Sequence, residues 1–230
     1  MKHAITPLVL STATFGLMLG VAENAQASGL IRNVTATTPG YTLSGQGNIN
    51  ATTNGYGLQG TPANSPSLTA THAGSNFTTP ATTATNAWRS APNSTSPISS
   101  LIIQFDFNRI YNLAGFSFWN VGGNANFNQG IKDVTIEYRL GTTGTWTTLS
   151  GAPTSFAIGA SSGNVSAQQF SFTPVLATNV RFRSMTNQGA SGLNNRVGFS
   201  EIQFTSIPEP SSTLALLALG LAGVGLKKRV

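Results

Sequence analysis

The sequence predicts an all-β domain, two packed sheets that each bury one face, set between two terminal targeting segments. Three observations predict it. Apolar and polar side chains alternate with a period of two through residues 101–107, 116–119 and 133–140, as in strands with one face in a core. Clusters of Gly, Asn, Ser and Pro punctuate the chain between those runs. Between residues 28 and 206 no ten-residue run carries a helical period.

At the N-terminus, Lys2 and His3 precede an apolar segment at residues 4–22, and Ala25-Gln26-Ala27 places small residues where a signal peptidase needs them. Residues 1–27 are therefore expected to be a secretory signal helix, read through Ala25 and Ala27 and cut after Ala27. An uncleaved anchor is the alternative, and Thr6, Pro7, Ser11, Thr12 and Thr14 make it a poor membrane span. From residue 28 to about residue 100 Thr, Asn, Gly, Pro and Ser dominate. A disordered stalk is one reading of that composition. Tyr41, Tyr56, Leu58, Leu68, Phe77 and Trp88 favour early strands with long loops, because a solvated linker keeps few large apolar residues.

The strands sharpen from residue 100. Leu101, Ile103, Phe105 and Phe107 alternate with Ile102, Gln104 and Asp106. Residues 113–120 form the next strand, with Phe116 and Phe118 on one face and Ser117 and Trp119 on the other. In residues 131–140 Val134, Ile136, Tyr138 and Leu140 point inward, and Asp133, Thr135, Glu137 and Arg139 outward. A turn at residues 141–144 leads into a partner strand at 145–149 that carries Trp146. Further strands are expected at 169–173, 179–184 and 198–205. In the second of these Arg181 and Arg183 lie outward along the sheet, opposite Val180 and Phe182.

Past the domain, expected to span residues 28–206, comes Pro208-Glu209-Pro210, an uncharged apolar run at 214–226, and Lys227-Lys228-Arg229. The run is shorter than the ~20 residues a helix needs to cross a bilayer. The basic end favours the cytoplasmic side, so the tail reads as a short hydrophobic helix that anchors the chain in the membrane transiently. A permanent short anchor is the alternative. This order of parts resembles the PEP-CTERM sorting signal over residues 207–230. The resemblance implies recognition by an exosortase through Pro208, Glu209, Pro210, Lys227, Lys228 and Arg229. It also implies cleavage near the motif and delivery to the envelope, surface or extracellular matrix of a Gram-negative bacterium that makes exopolysaccharide.

Composition narrows the function classes. The chain's net charge of +6 includes Lys2, Lys227, Lys228 and Arg229 in the terminal segments. Between residues 28 and 206 eight basic residues (Arg32, Arg89, Arg109, Lys132, Arg139, Arg181, Arg183, Arg196) accompany four acidic ones (Asp106, Asp133, Glu137, Glu201). They are scattered, with no stripe that would track phosphates, so nucleic acid is not an expected partner. The absence of cysteine rules out disulfides and thiolate metal sites. Catalysis has little material. Asp133 and Glu137 stand ~13 Å apart along one strand, too far for a glycosidase pair, and His72 has no second histidine or cysteine to make a metal site. No nucleophile elbow, phosphate loop or dinucleotide fingerprint occurs. The chain is therefore expected not to be an enzyme.

The order of the strand pieces resembles the discoidin family, the coagulation factor V/VIII C-terminal type. The matching pieces are Ala87-Trp88-Arg89-Ser90, residues 102–106 and 111–120, the strand-turn-strand at 130–149, and the closing strands at 179–183 and 198–204. The resemblance implies a jelly-roll β-sandwich of the galactose-binding-like class, with ligands bound in loops at one end and carbohydrate as the commonest ligand. An extracellular polysaccharide is the expected partner, besides signal peptidase, exosortase and, before processing, the membrane. A sugar site needs planar amides, guanidinium groups and an aromatic face. Trp119 and Asn120, Asn126 in the loop at 122–129, and Asn194 and Arg196 before the last strand are the candidates; Trp88 and Trp146 are read as packing at the sandwich edge. Many discoidin-type domains also hold a structural Ca²⁺ with a glutamate in the last strand, and Glu201 occupies that position. No acid lies in residues 59–87 to supply the family's loop aspartate, and the alternative for Glu201 is a surface pair with Arg181 or Arg183. The competing function is a structural or adhesive matrix protein that contacts other proteins and has no sugar site.

Overall fold

A computed structural model describes residues 29–41, 45–77, 85–92, 98–192 and 195–207 of the chain. The signal residues Ala25 and Ala27, the tail residues Pro208, Glu209, Pro210, Lys227, Lys228 and Arg229, both expected terminal helices, and Asn194 lie outside them. Among the described residues no helix is long and apolar enough to cross a membrane.

The domain Gly29–Ile207 is a β-sandwich. Its described strands are β1 (Gly29–Leu30), β2 (Thr35–Thr37), β3 (Gln46–Gly47), β4 (Trp88–Arg89), β5 (Ile103–Asn120), β6 (Thr135–Arg139), β7 (Thr147–Thr148), β8 (Gln168–Arg183) and β9 (Gly198–Ser206). All named strand pairs are antiparallel. The sequence predicts separate strands at 101–107 and 113–120, and again at 169–173 and 179–184. The structure joins each pair, because β5 and β8 stay hydrogen-bonded from Ile103↔Phe182 to Phe118↔Gln168. The resulting ribbon folds back on itself where the register slips between Asp106 and Tyr111. Asn108 sits at that corner at φ 60°, a left-handed conformation that asparagine tolerates better than most residues. The first half of the ribbon then pairs with β2 and β6, and the second half with β9.

Folding the ribbon back brings its aromatic faces together. Phe105 meets Phe182 and Phe204 edge-on with centroids 5.3 Å apart, and Phe118 stacks on Phe156 at 4.0 Å. These rings, with Phe116 and Phe199, fill the space between the layers. Such pairs add to the hydrophobic gain of burying each ring.

The outer face of the second layer is covered as well. Residues 53–72 lie across it: Ser117 Oγ donates to the Leu68 carbonyl at 2.8 Å, Trp119 Nε1 to that of Ala70 at 2.9 Å, and Gln203 Nε2 to that of Thr53 at 3.1 Å. His72, fully buried, pairs its main chain with Val165, and its ring nitrogens stand 2.5 Å from the Ala73 carbonyl oxygen and 3.2 Å from that of Tyr56. Burial holds the imidazole pKa below its usual value. The burial of Leu58 against Trp119 and Val165, with His72 buried beside it, excludes the stalk reading for this stretch. Gly57 turns there at φ 101°, and a Cβ on it would run into the His72 ring. Gly57→Ala is expected to destabilise the domain by about 3 kcal/mol through backbone strain and overpacking, read from urea unfolding midpoints.

Two expectations on residues 131–140 change. Leu140 is exposed, because β6 ends at Arg139. Glu137 faces outward but is closed in: Arg181 Nε lies 2.6 Å and Arg183 Nη2 2.8 Å from its carboxylate. The bond from Arg183 leads in holding the Glu137 pKa down. Trp146 lies with its ring 4.6 Å from the Arg139 guanidinium and 4.3 Å from that of Arg181.

Candidate functional site

The sequence places its sugar-site candidates in the loops beyond the ends of β5 and β9, and the structure divides them. Trp119 is fully buried with Leu58 and Val165 under residues 53–72, so its ring offers no face to a ligand. Asn120 is also fully buried. Its Nδ2 donates to the carbonyls of Ile131 (2.7 Å) and Ala157 (2.9 Å), and its Oδ1 accepts from the Val121 N–H at 3.0 Å. Those bonds tie three loops together and leave the amide nothing for a sugar. Both are corrections: Trp119 is covered by a segment lying over a face that the strand period marks only as pointing away from the core, and Asn120 by the chain at Ile131 and Ala157 closing on its amide.

Asn126 and Arg196 remain, and Arg89 links them. Strand β4 pairs with β9 so that Arg89 lies opposite Gly198, and with β3 so that it lies opposite Gln46. Arg89 Nε donates to Gln46 Oε1 at 2.7 Å, and its Nη1 to Gln129 Oε1, also at 2.7 Å. Gln129 Nε2 in turn donates to Asn126 Oδ1 at 3.1 Å. The Arg89 guanidinium rests 4.6 Å from the centroid of the buried Phe77 ring. Arg196 Nη1 donates to the Ser90 carbonyl at 2.7 Å, one residue along from Arg89.

Both guanidiniums are half-buried. Burial pulls the Arg89 pKa down to about 10, with the like charge of Arg196 adding to the effect. Burial likewise lowers Arg196. The result is a fixed set of planar donors and amides where the β3–β4 edge meets the turn Phe127–Gln129. Sequence reasoning passed over Arg89 and Gln46. The available signal was strand alternation, which puts Arg89 on the face opposite Trp88, in a domain whose bases outnumber its acids. A separate shallow groove of about 260 Å³ runs along the outer sheet face, lined by Leu68, Ser117, Gln169, Ser171 and Thr205, and brings no charged group into play.

Glu201 does not pair with Arg181 or Arg183, which belong to Glu137. It is fully buried opposite Trp119. Its Oε1 accepts from the Gly55 N–H at 3.0 Å and from Gln203 Nε2, and its Oε2 has no partner among the described residues. Burial raises this carboxyl well above the usual glutamate range. As a test of fit for Ca²⁺, the orphaned Oε2 suits a cation. Among the described residues no cluster of three His, Asp or Glu side chains surrounds it, so main-chain and amide oxygens would have to complete the six to eight ligands.

The domain has the fold of carbohydrate-binding modules. It matches a family 32 module from Clostridium perfringens, solved with GalNAc-β-1,3-galactose, with a TM-score of 0.50 at 12% identity, over 76% of this chain and 99% of that one. The family 32 module of Clostridium perfringens NanJ, in complex with galactose, gives 0.48 at 12% identity, over 78% and 100%. An F5/8 type C domain from Bacteroides fragilis gives 0.44 at 13% identity, over 80% and 97%. No curated protein sequence matches the chain. At its C-terminal end, residues 206–229 match the PEP-CTERM protein-sorting motif, which indicates an exported protein processed at the cell envelope. The chain thus joins a discoidin-like sandwich to a PEP-CTERM motif.

Proposed function

We propose that the protein is a noncatalytic polysaccharide-binding module, sorted by an exosortase through its tail and displayed at the cell surface or in the extracellular matrix. The observation that carries this reading is the Arg89–Gln46–Gln129–Asn126 cluster with Arg196 beside it. Gln129 is buried and locks Arg89 to Asn126, and the planar groups of Gln46, Asn126, Arg89 and Arg196 can fork onto adjacent sugar hydroxyls without first paying the entropy of ordering. The shared fold with a module solved with GalNAc-β-1,3-galactose supports the same reading. Binding of the full chain to an array of bacterial polysaccharides tests it. Gln46→Ala/Asn126→Ala is expected to weaken a saturable signal about tenfold, the loss of one to two hydrogen bonds. A folded chain that binds nothing on the array would remove the proposal.

Calcium is proposed as a structural ion only, held by Glu201 Oε2 with main-chain oxygens. It would supply the positive charge that lets a buried carboxylate ionise. A second reading, an adhesive matrix protein, draws on the exposed Ile110 (56%), Leu176 (49%) and Leu140 (45%) around the ribbon corner. Silence on the array together with concentration-dependent self-association would favour it.

A further inference from the structure

We infer that the Arg89–Arg196 pair selects acidic polysaccharide, its guanidiniums taking the carboxylate of a uronate residue; this rests on the polysaccharide reading above. The argument is a census of charge. The domain holds four carboxylates, and all four are engaged away from this pair. Asp106 Oδ1 accepts from the Asn108 N–H at the ribbon corner, Asp133 Oδ2 from the Thr186 hydroxyl, and Glu137 is held by Arg181 and Arg183. Glu201 is sealed against Gly55 and Gln203.

Arg196 therefore bonds the carbonyl of the residue next to Arg89, and both guanidiniums, half out of water, have among the described residues only neutral acceptors: two amide oxygens and one main-chain carbonyl. Two like charges brought together in reduced dielectric oppose folding, and a bound anion would offset that cost. The donors to receive one are present. A guanidinium has five N–H groups; Arg89 uses two and Arg196 one. Beside Arg196 the buried Tyr41 hydroxyl also has no hydrogen-bond partner among the described residues. The Phe77 ring is already covered by Arg89. Fixed cationic forks, offering paired N–H donors, suit a planar anion better than a neutral sugar hydroxyl.

The test compares polygalacturonate with the same polymer after carboxyl reduction, in affinity electrophoresis of the full-length chain in detergent. The expected result is retardation by the acid polymer, about tenfold weaker on the reduced one, as for loss of a charge-assisted bond pair. Arg196→Gln, and Arg89→Lys, which keeps the charge but loses the fork, are each expected to weaken binding to the acid polymer by about tenfold, with unfolding midpoints measured alongside. Equal retardation by both polymers would leave the polysaccharide reading standing and overturn the selectivity. Retardation by the acid polymer that neither variant weakens would overturn the assignment to this pair. A folded chain retarded by neither polymer would remove both.

Discussion

Trp119→Ala is expected to lower the unfolding free energy by about 3–5 kcal/mol, the range for truncating a fully buried large aromatic. The substitution empties the space between Leu58 and Val165 and leaves the Ala70 carbonyl without its donor. Denaturant unfolding followed by fluorescence reads the loss. Polysaccharide affinity, measured where the variant is still folded, is expected to stay unchanged. A variant of undiminished stability that no longer binds would show the indole to be a ligand contact after all.

The second large effect belongs to Glu201. Its folded-state pKa is raised above the unfolded value by burial, so the folded chain binds this proton more tightly than the unfolded chain does. Stability on this account is complete below the usual glutamate range. It falls as pH rises from there toward the folded pKa, by about 1.4 kcal/mol per pH unit while only the unfolded state is ionised. In EDTA the wild-type chain should lose stability with this slope, and Glu201→Gln should remove that part of the slope. Added calcium should restore the wild type at neutral pH and leave Glu201→Gln unmoved. A wild-type profile flat between pH 5 and 8 in EDTA would contradict the buried neutral carboxyl. Restoration of Glu201→Gln by calcium would put the ion elsewhere.

The strand faces were legible because alternation is a local property. Ile103, Phe105, Phe116, Phe118, Val134, Ile136, Val180 and Phe182 all enter the core as their spacing predicts. Alternation says only which side chains point away from that core, and not whether a further segment lies over them. That is why Trp119 and Glu201 look available and are buried, while Asn120 is closed off by the chain at Ile131 and Ala157, which no local period reveals. Leu140 failed for the opposite reason, since the apolar period runs one residue past the end of β6. The candidate site was half legible. Asn126 and Arg196 were found as loop residues, but Gln46 and Arg89 come together only through the pairing of β3 with β4 and β4 with β9.

Strand β9 has Arg196 two residues before its first residue, and its last residue, Ser206, is where the match to the sorting motif begins. Tension between a ligand held at Arg196 and the C-terminal end of the domain would therefore travel along one strand. Its hydrogen bonds to β5 run across the strand direction from Leu113↔Ser206 to Asn120↔Phe199. Loaded in that direction they share the force as a set and slide together, where a pull across the sheet would open them one after another. The mechanical load path of the domain is then a strand held from both sides, with β5 along one side and β1 and β4 along the other.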